Sequence, residues 1–142
     1  MALKTKRNEK GLQSISTTIL AIANNAFSAA IGPYDNSADL YPLADVIYEP
    51  AYTTAPTADT SIDLYLQDID IDGANDGPVP DSTYKRNYVG SFYPDSVTGA
   101  QYLSIRGIQL PPKAAFVLHN NGTGQPIPVN SALKINPYGY GD

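Results

Sequence analysis

Alternation of apolar and polar positions dominates this chain. In "TSIDLYLQD" Ile62, Leu64 and Leu66 fall on one side, and Asp63, Tyr65 and Gln67 on the other. That period of two is what an extended strand imposes. "KAAFVLHN" repeats it, with Ala114, Phe116 and Leu118 opposite Ala115, Val117 and His119. "AQYLSIRGIQL" sets Leu103 and Ile105 against Tyr102, Ser104 and Arg106, until Pro111-Pro112 stops the run. "PLADVIYEPAYTT", "NYVGSFYP" and "NSALKINP" are further short runs rich in branched and aromatic residues, the composition that suits a pleated surface. Turn signals such as "DSVTG" and "NGTGQPIP" separate them. Only Ser14 to Ile31 fits two periods. Ile15, Ile19, Ile22, Ala26 and Ala30 suit a helical face, while Ile15, Thr17, Ile19 and Ala21 suit a strand. A short helical or irregular piece is expected there, then an extended run "NAFSAAIG" ending at Gly32-Pro33.

Seven or eight strands with no long amphipathic helix between them disfavour a parallel βαβ arrangement. The expected fold is all-β, an antiparallel β-sandwich of jelly-roll or immunoglobulin-like topology. The length of 142 residues suits one domain. Residues 1–13 are expected to form an arm and residues 14–142 a single β-sandwich domain.

The stretch "QDIDIDGANDG" poses the sharpest chemical question. With Asp68 in the first position of an EF-hand loop, Val79 stands where a bidentate glutamate is needed, and neither flank is helical. The EF-hand therefore fails. Continuing the strand would turn Asp68, Asp70 and Asp72 toward the core, at several kcal/mol for each unpaired carboxylate. Either the strand ends near Gln67 or a bulge turns Ile69 and Ile71 inward. The expectation is a strand end entering an exposed loop; a non-EF calcium site on Asp70, Asp72 and Asp76 is the alternative.

Charge adds one asymmetry. The net charge is −5, yet Lys4, Lys6, Arg7 and Lys10 place four of the nine basic residues in the first ten positions. Between Gly11 and Tyr84 there is no Lys or Arg, against eleven acidic residues. A basic arm on an acidic body could seek an acidic partner, whereas the body itself is unsuited to nucleic acid. The run "ISTTILAIA" is too short and too polar for a signal peptide or a membrane span. The chain has no cysteine and one histidine, His119, so neither a zinc site nor a Cys-His pair can form. No G-x-S-x-G or phosphate-loop motif is present. No enzyme activity and no cofactor are expected. Tyrosines such as Tyr65, Tyr88 and Tyr102 could stack on sugars.

Several segments in order carry a resemblance: "STTILAIANNAFSAAIGPYDN", "APTADTSIDLYLQDIDIDGAND", "VGSFYP", "LSIRGIQLPPKAAFVLHNNGTGQPI" and "LKINPYG". Together they span about residues 14–138, and their order resembles that of small structural proteins of tailed bacteriophages and prophages. The resemblance implies a capsid decoration or cement protein on the virion exterior, made in the host cytoplasm and binding the major capsid protein. It implies a homo-oligomer, with a trimer as the guess, and no membrane, specific nucleic acid or small-molecule ligand. Lys4, Lys6, Arg7 and Lys10 would then be the capsid contacts. The alternative is a tail-associated receptor-binding or carbohydrate-binding module.

Overall fold

A computed structural model describes residues 6–141; Lys4, the first of the four arm cations, lies outside them. Eleven strands and no helix make up the described chain. They are β1 (Lys6–Glu9), β2 (Gln13–Ile19), β3 (Ile31–Asp35), β4 (Leu43–Glu49), β5 (Ala51–Tyr52), β6 (Ser61–Asp68), β7 (Tyr88–Phe92), β8 (Gly99–Ala100), β9 (Leu103–Gln109), β10 (Lys113–Asn121) and β11 (Ser131–Gly141). All pairings are antiparallel.

Setting aside the short β1, β5 and β8, eight strands remain, and their pairing is nested. The first pairs with the last (β2 with β11), the second with the seventh (β3 with β10), the third with the sixth (β4 with β9) and the fourth with the fifth (β6 with β7). That nesting is the jelly roll, and it settles the choice left open between jelly-roll and immunoglobulin-like topologies. One sheet runs β2-β11-β4-β9, the other β3-β10-β6-β7.

The inward sets are those the alternation gave. Ile62, Leu64, Phe116 and Leu118 from one sheet meet Val46, Tyr48, Leu133 and Ile135 from the other in one core. Tyr48 is fully buried and its hydroxyl donates to Ser131 Oγ at 2.8 Å, as a buried phenol requires.

Three segments depart from expectation. The run expected to end at Gly32-Pro33 instead starts a strand there, since β3 crosses both residues to reach Asp35. Ser14 to Ile19 is strand rather than a short helical or irregular piece, because β11 offers it a partner: Ser131 pairs with Ile19 and Leu133 with Ser16. Lys6 to Glu9 is extended, yet it lies along the same edge of β11 as β1, with Arg7 opposite Tyr140 and Glu9 opposite Tyr138. β11 is long enough to pair β2 with its first half and β1 with its second. Pro137 falls at the junction, where its carbonyl accepts from Lys10 N–H at 2.9 Å. The N–H it lacks would point to the same side, at the break between β1 and β2, where no ladder bond is lost.

The aspartate stretch resolves as a strand end. β6 stops at Asp68 and Ile71 is exposed, so no bulge carries the isoleucines inward. No helix of the described residues is long and apolar enough to cross a membrane.

Candidate functional site

The outer face of the β3-β10-β6-β7 sheet is where polar and aromatic side chains converge. Register does the assembling. Asp63 on β6 is opposite His119 on β10 and Ser91 on β7, Tyr65 is opposite Val117 and Tyr88, and Asn121 is opposite Ser61. Ahead of β3, Phe27 pairs with His119 in an isolated bridge. Four separate stretches of chain thus meet on one surface.

At its centre is Asp63, a buried carboxylate in mid-strand. Its Oδ1 accepts from Ser61 Oγ at 2.8 Å and Ser91 Oγ at 2.7 Å, and its Oδ2 from Asn121 Nδ2 at 2.9 Å. Three donors satisfy the charge where it could not otherwise be buried. Ser91 has one proton and gives it to Asp63, so the Tyr88 hydroxyl, 2.6 Å away, donates to Ser91 Oγ. A buried carboxylate therefore fixes, through one serine, the orientation of the Tyr88 ring. Tyr88 is 57% exposed. It stands at the open end of an aromatic row in which Tyr65 lies 5.7 Å from Tyr88, Phe27 lies 5.6 Å from Tyr65, and His119 stacks on Phe27 at 4.1 Å.

The expected wet face of β6 is largely covered. Tyr65 and Gln67 are buried, and the loop of residues 69–87 folds back at their end, with Gln67 Nε2 donating to the Gly77 carbonyl at 2.9 Å. Burial raises the Tyr65 pKa, helped by the Asp63 charge, so its hydroxyl stays protonated. Of the three tyrosines singled out for sugar stacking, Tyr65 and Tyr88 are brought together. Tyr102 is exposed and stands just ahead of β9, a strand of the other sheet. Asp63, Ser91, Asn121 and Phe27 were missed. The available signal was Asp63 itself, a charge inside the most regular strand.

The acidic loop uses its own carboxylates. Asp72 accepts from Asn75 Nδ2 and from the Ala74 and Asn75 N–H groups, which together hold it at about 2, below the usual carboxylate range. Asp70 pairs with Lys113 at 2.8 Å and Asp76 accepts from Asp70 N–H. Among the described residues no three carboxylate or histidine groups converge as metal ligands.

Two basic residues of the N-terminal segment, Arg7 and Lys10, are also engaged within the chain. Arg7 Nη2 reaches Asp45 Oδ2 at 2.6 Å and its guanidinium lies 3.6 Å above the Tyr138 ring. Lys10 Nζ meets Asp39 Oδ2 at 2.6 Å, while Lys6 pairs by backbone with Gly141.

No protein-family model matches the chain, and no curated protein matches it in sequence. Two solved structures are similar in fold. One is the CBM36-1 domain of a multidomain xylanase from the hindgut metagenome of Trinervitermes trinervoides, at 11% identity and a TM-score of 0.54, over 90% of this chain and 96% of that one. The other is a carbohydrate-binding module CBM36 in complex with calcium and xylotriose, at 15% identity and a TM-score of 0.46, over 95% and 93%. The first of these likenesses overturns the expectation of a phage decoration protein. The chain shares its fold over nearly its whole length with a carbohydrate-binding module, and nothing in the comparisons points to a virion. The major capsid protein as partner, and a trimer built around it, fall with that expectation. The physical reason for the misreading is visible in β1: the segment taken as a free capsid-seeking arm is, from Lys6 onward, a sheet strand, with Arg7 paired to an acid of its own chain.

Proposed function

We propose that this protein is a non-enzymatic carbohydrate-binding module that takes a polysaccharide across the outer face of the β3-β10-β6-β7 sheet, with Tyr88 as the stacking platform. The observation that carries this is the anchoring of an exposed ring to a buried charge. Tyr88 is held through Ser91 to Asp63, so its face is presented in one orientation before any ligand arrives, which lowers the cost of ordering on binding. Sugar rings present C–H faces that pack on aromatic rings, and hydroxyl edges that need mixed donors and acceptors nearby. Asn121, exposed on the same face, supplies such a group. The fold likeness to a module of a xylanase supports the reading by analogy and makes xylan the first polysaccharide to test.

The same site argues for binding without chemistry. Glycoside hydrolysis uses two carboxylates flanking the bond, and the titratable group facing Asp63 is His119, not a second acid. Among the described residues the acidic side chains form no cation-binding set, and the proposal carries no metal. Affinity electrophoresis and calorimetry against soluble xylan and a panel of other polysaccharides test it. Binding that disappears in a folded Tyr88→Ala variant is the expected result. A protein that retains no ligand from the panel, or a variant that binds as well as the parent, would overturn it.

A further inference from the structure

A groove of about 800 Å³ opens at the end of the sandwich where β4 and β7 begin and β6 and β9 end. Its apolar lining includes Leu66, Val89 and Leu110. Leu66 and Leu110 are core residues that remain 6% and 7% exposed. Three polar side chains, Asp68, Asn87 and Gln109, also line it. The volume lies within the range of small-molecule sites, and an apolar floor with a few convergent polar groups is their usual make-up.

The groove also adjoins the glycan face proposed above. Tyr88 lines it and is the same residue that forms the platform, so a chain lying over Tyr88 has the groove at the β7 edge as its continuation. We infer that the groove is a second subsite, which takes further neutral sugar rings of the polysaccharide bound at Tyr88. This inference rests on that function.

The lining selects the chemistry. One carboxylate and two amides can accept from and donate to adjacent hydroxyls, while the leucine and valine surfaces suit the C–H face of a ring. Asp68 is the charged group of the lining, and it disfavours an anionic ligand. Asn87 Nδ2 is only 3.4 Å from Asp68 Oδ2, a contact too long to hold that amide against a competing hydroxyl. Gln109 is exposed at the mouth of the groove.

Chain length is the variable that separates the subsites. Calorimetry with xylotriose and xylohexaose should give the hexamer an affinity about tenfold higher, the worth of one further ring well held. Asn87 has a φ of +58°, so Asn87→Gly removes its amide without forcing the backbone. The double variant Asn87→Gly, Gln109→Ala should lose the increment for the hexamer and keep the affinity for the trimer. In side-chain amide spectra, the Asn87 and Gln109 signals should move with the hexamer. Equal affinities for the two oligomers in the parent, or an increment that survives in the double variant, would overturn the subsite and leave the Tyr88 site standing. Failure of the parent to bind either oligomer, or the oligomers of whichever polysaccharide the panel selects, would overturn the subsite, and failure across the whole panel would overturn the Tyr88 site with it.

Discussion

His119 and Asp63 are cross-strand partners that meet without a hydrogen bond: His119 Nδ1 stands 3.9 Å from Asp63 Oδ2, with both side chains about nine-tenths buried. Nδ1 has no other partner. Burial lowers the His119 pKa and outweighs the opposing pull of the Asp63 carboxylate, and Lys85 adds to the lowering. The imidazole is thus folded in its neutral form, the state that its stacking on Phe27 accompanies.

That burial has a sign that can be measured. In the unfolded chain His119 takes up a proton near its ordinary value of about 6.5, and in the folded chain only at lower pH. Its contribution to stability is complete above about pH 6.5 and is lost as pH falls toward the lowered folded value. Denaturant midpoints between pH 8 and pH 5 should fall more steeply in the parent than in His119→Gln, which cannot titrate. Parallel profiles would show that His119 is not held neutral by the fold.

Ser91 links Tyr88 to Asp63 and touches no ligand in the proposed site, so it is a positioning residue. Ser91→Ala keeps the Tyr88 ring but releases it from its fixed orientation, and removes one donor from Asp63. Glycan affinity should fall by less than in Tyr88→Ala, about three- to tenfold, with the loss of one hydrogen bond worth about 1 kcal/mol. Ser91→Thr, which keeps the hydroxyl, should restore most of it. Affinity measured for all three variants against one polysaccharide checks the ranking, and equal losses in Ser91→Ala and Ser91→Thr would point to simple strand damage.

The fold was legible where alternation was unbroken. β6 and β10 could be read residue by residue, because Ile62, Leu64, Leu66 and Ala114, Phe116, Leu118 recur at period two, and both sets lie in the core. β2 was ambiguous because Ile15 and Ile19 satisfy both periods, and the partner that decides is more than a hundred residues away on β11. β1 was hidden for the same reason, since four polar residues carry no strand signal of their own. The candidate site was legible only in parts. Tyr65, Tyr88 and His119 could each be named, but their meeting with Asp63, Ser91 and Phe27 depends on register among β6, β7, β10 and the segment before β3. The phage resemblance rested on short runs shared in order, and such runs describe strand grammar more than descent or partner.

β1 makes a prediction contrary to that of a free arm. Removing residues 1–10 would strip Arg7 from Asp45, a buried acid that would keep only the Gly107 N–H at 3.0 Å and Arg106 at 3.6 Å. It would also bare the edge of β11 from Tyr138 to Gly141, and open strand edges invite pairing between molecules. The truncated protein should melt several degrees lower and show a larger hydrodynamic size at high concentration. Arg7→Met, which keeps the strand and its cover of Tyr138, should recover the monomer but not all of the stability. An unchanged melting temperature in the truncation would mean that β1 adds nothing to the fold.

Gly90 tests whether the two sheets meet as described. β7 and β9 belong to opposite sheets, and a Cβ built on Gly90 would come within 2.9 Å of Ile105 Cγ2 and 3.2 Å of Ile105 Cδ1. Ile105 is β-branched and stiff at χ1, so it cannot swing clear at low cost. Gly90→Ala should therefore destabilise by about 1–3 kcal/mol, the range of modest overpacking. Because Gly90 sits between Val89, which lines the groove, and Ser91, which holds Tyr88, pushing β7 away from β9 should weaken glycan binding as well. The compensating change is Ile105→Val, which removes Cδ1 but leaves Cγ2 in place. The double variant should regain only part of the lost stability, whereas Ile105→Ala with Gly90→Ala removes the clash and replaces it with a cavity. Chemical denaturation of the three single and two double variants measures the coupling directly. If Gly90→Ala and Ile105→Ala proved additive, the contact between β7 and β9 would not be as close as 2.9 Å.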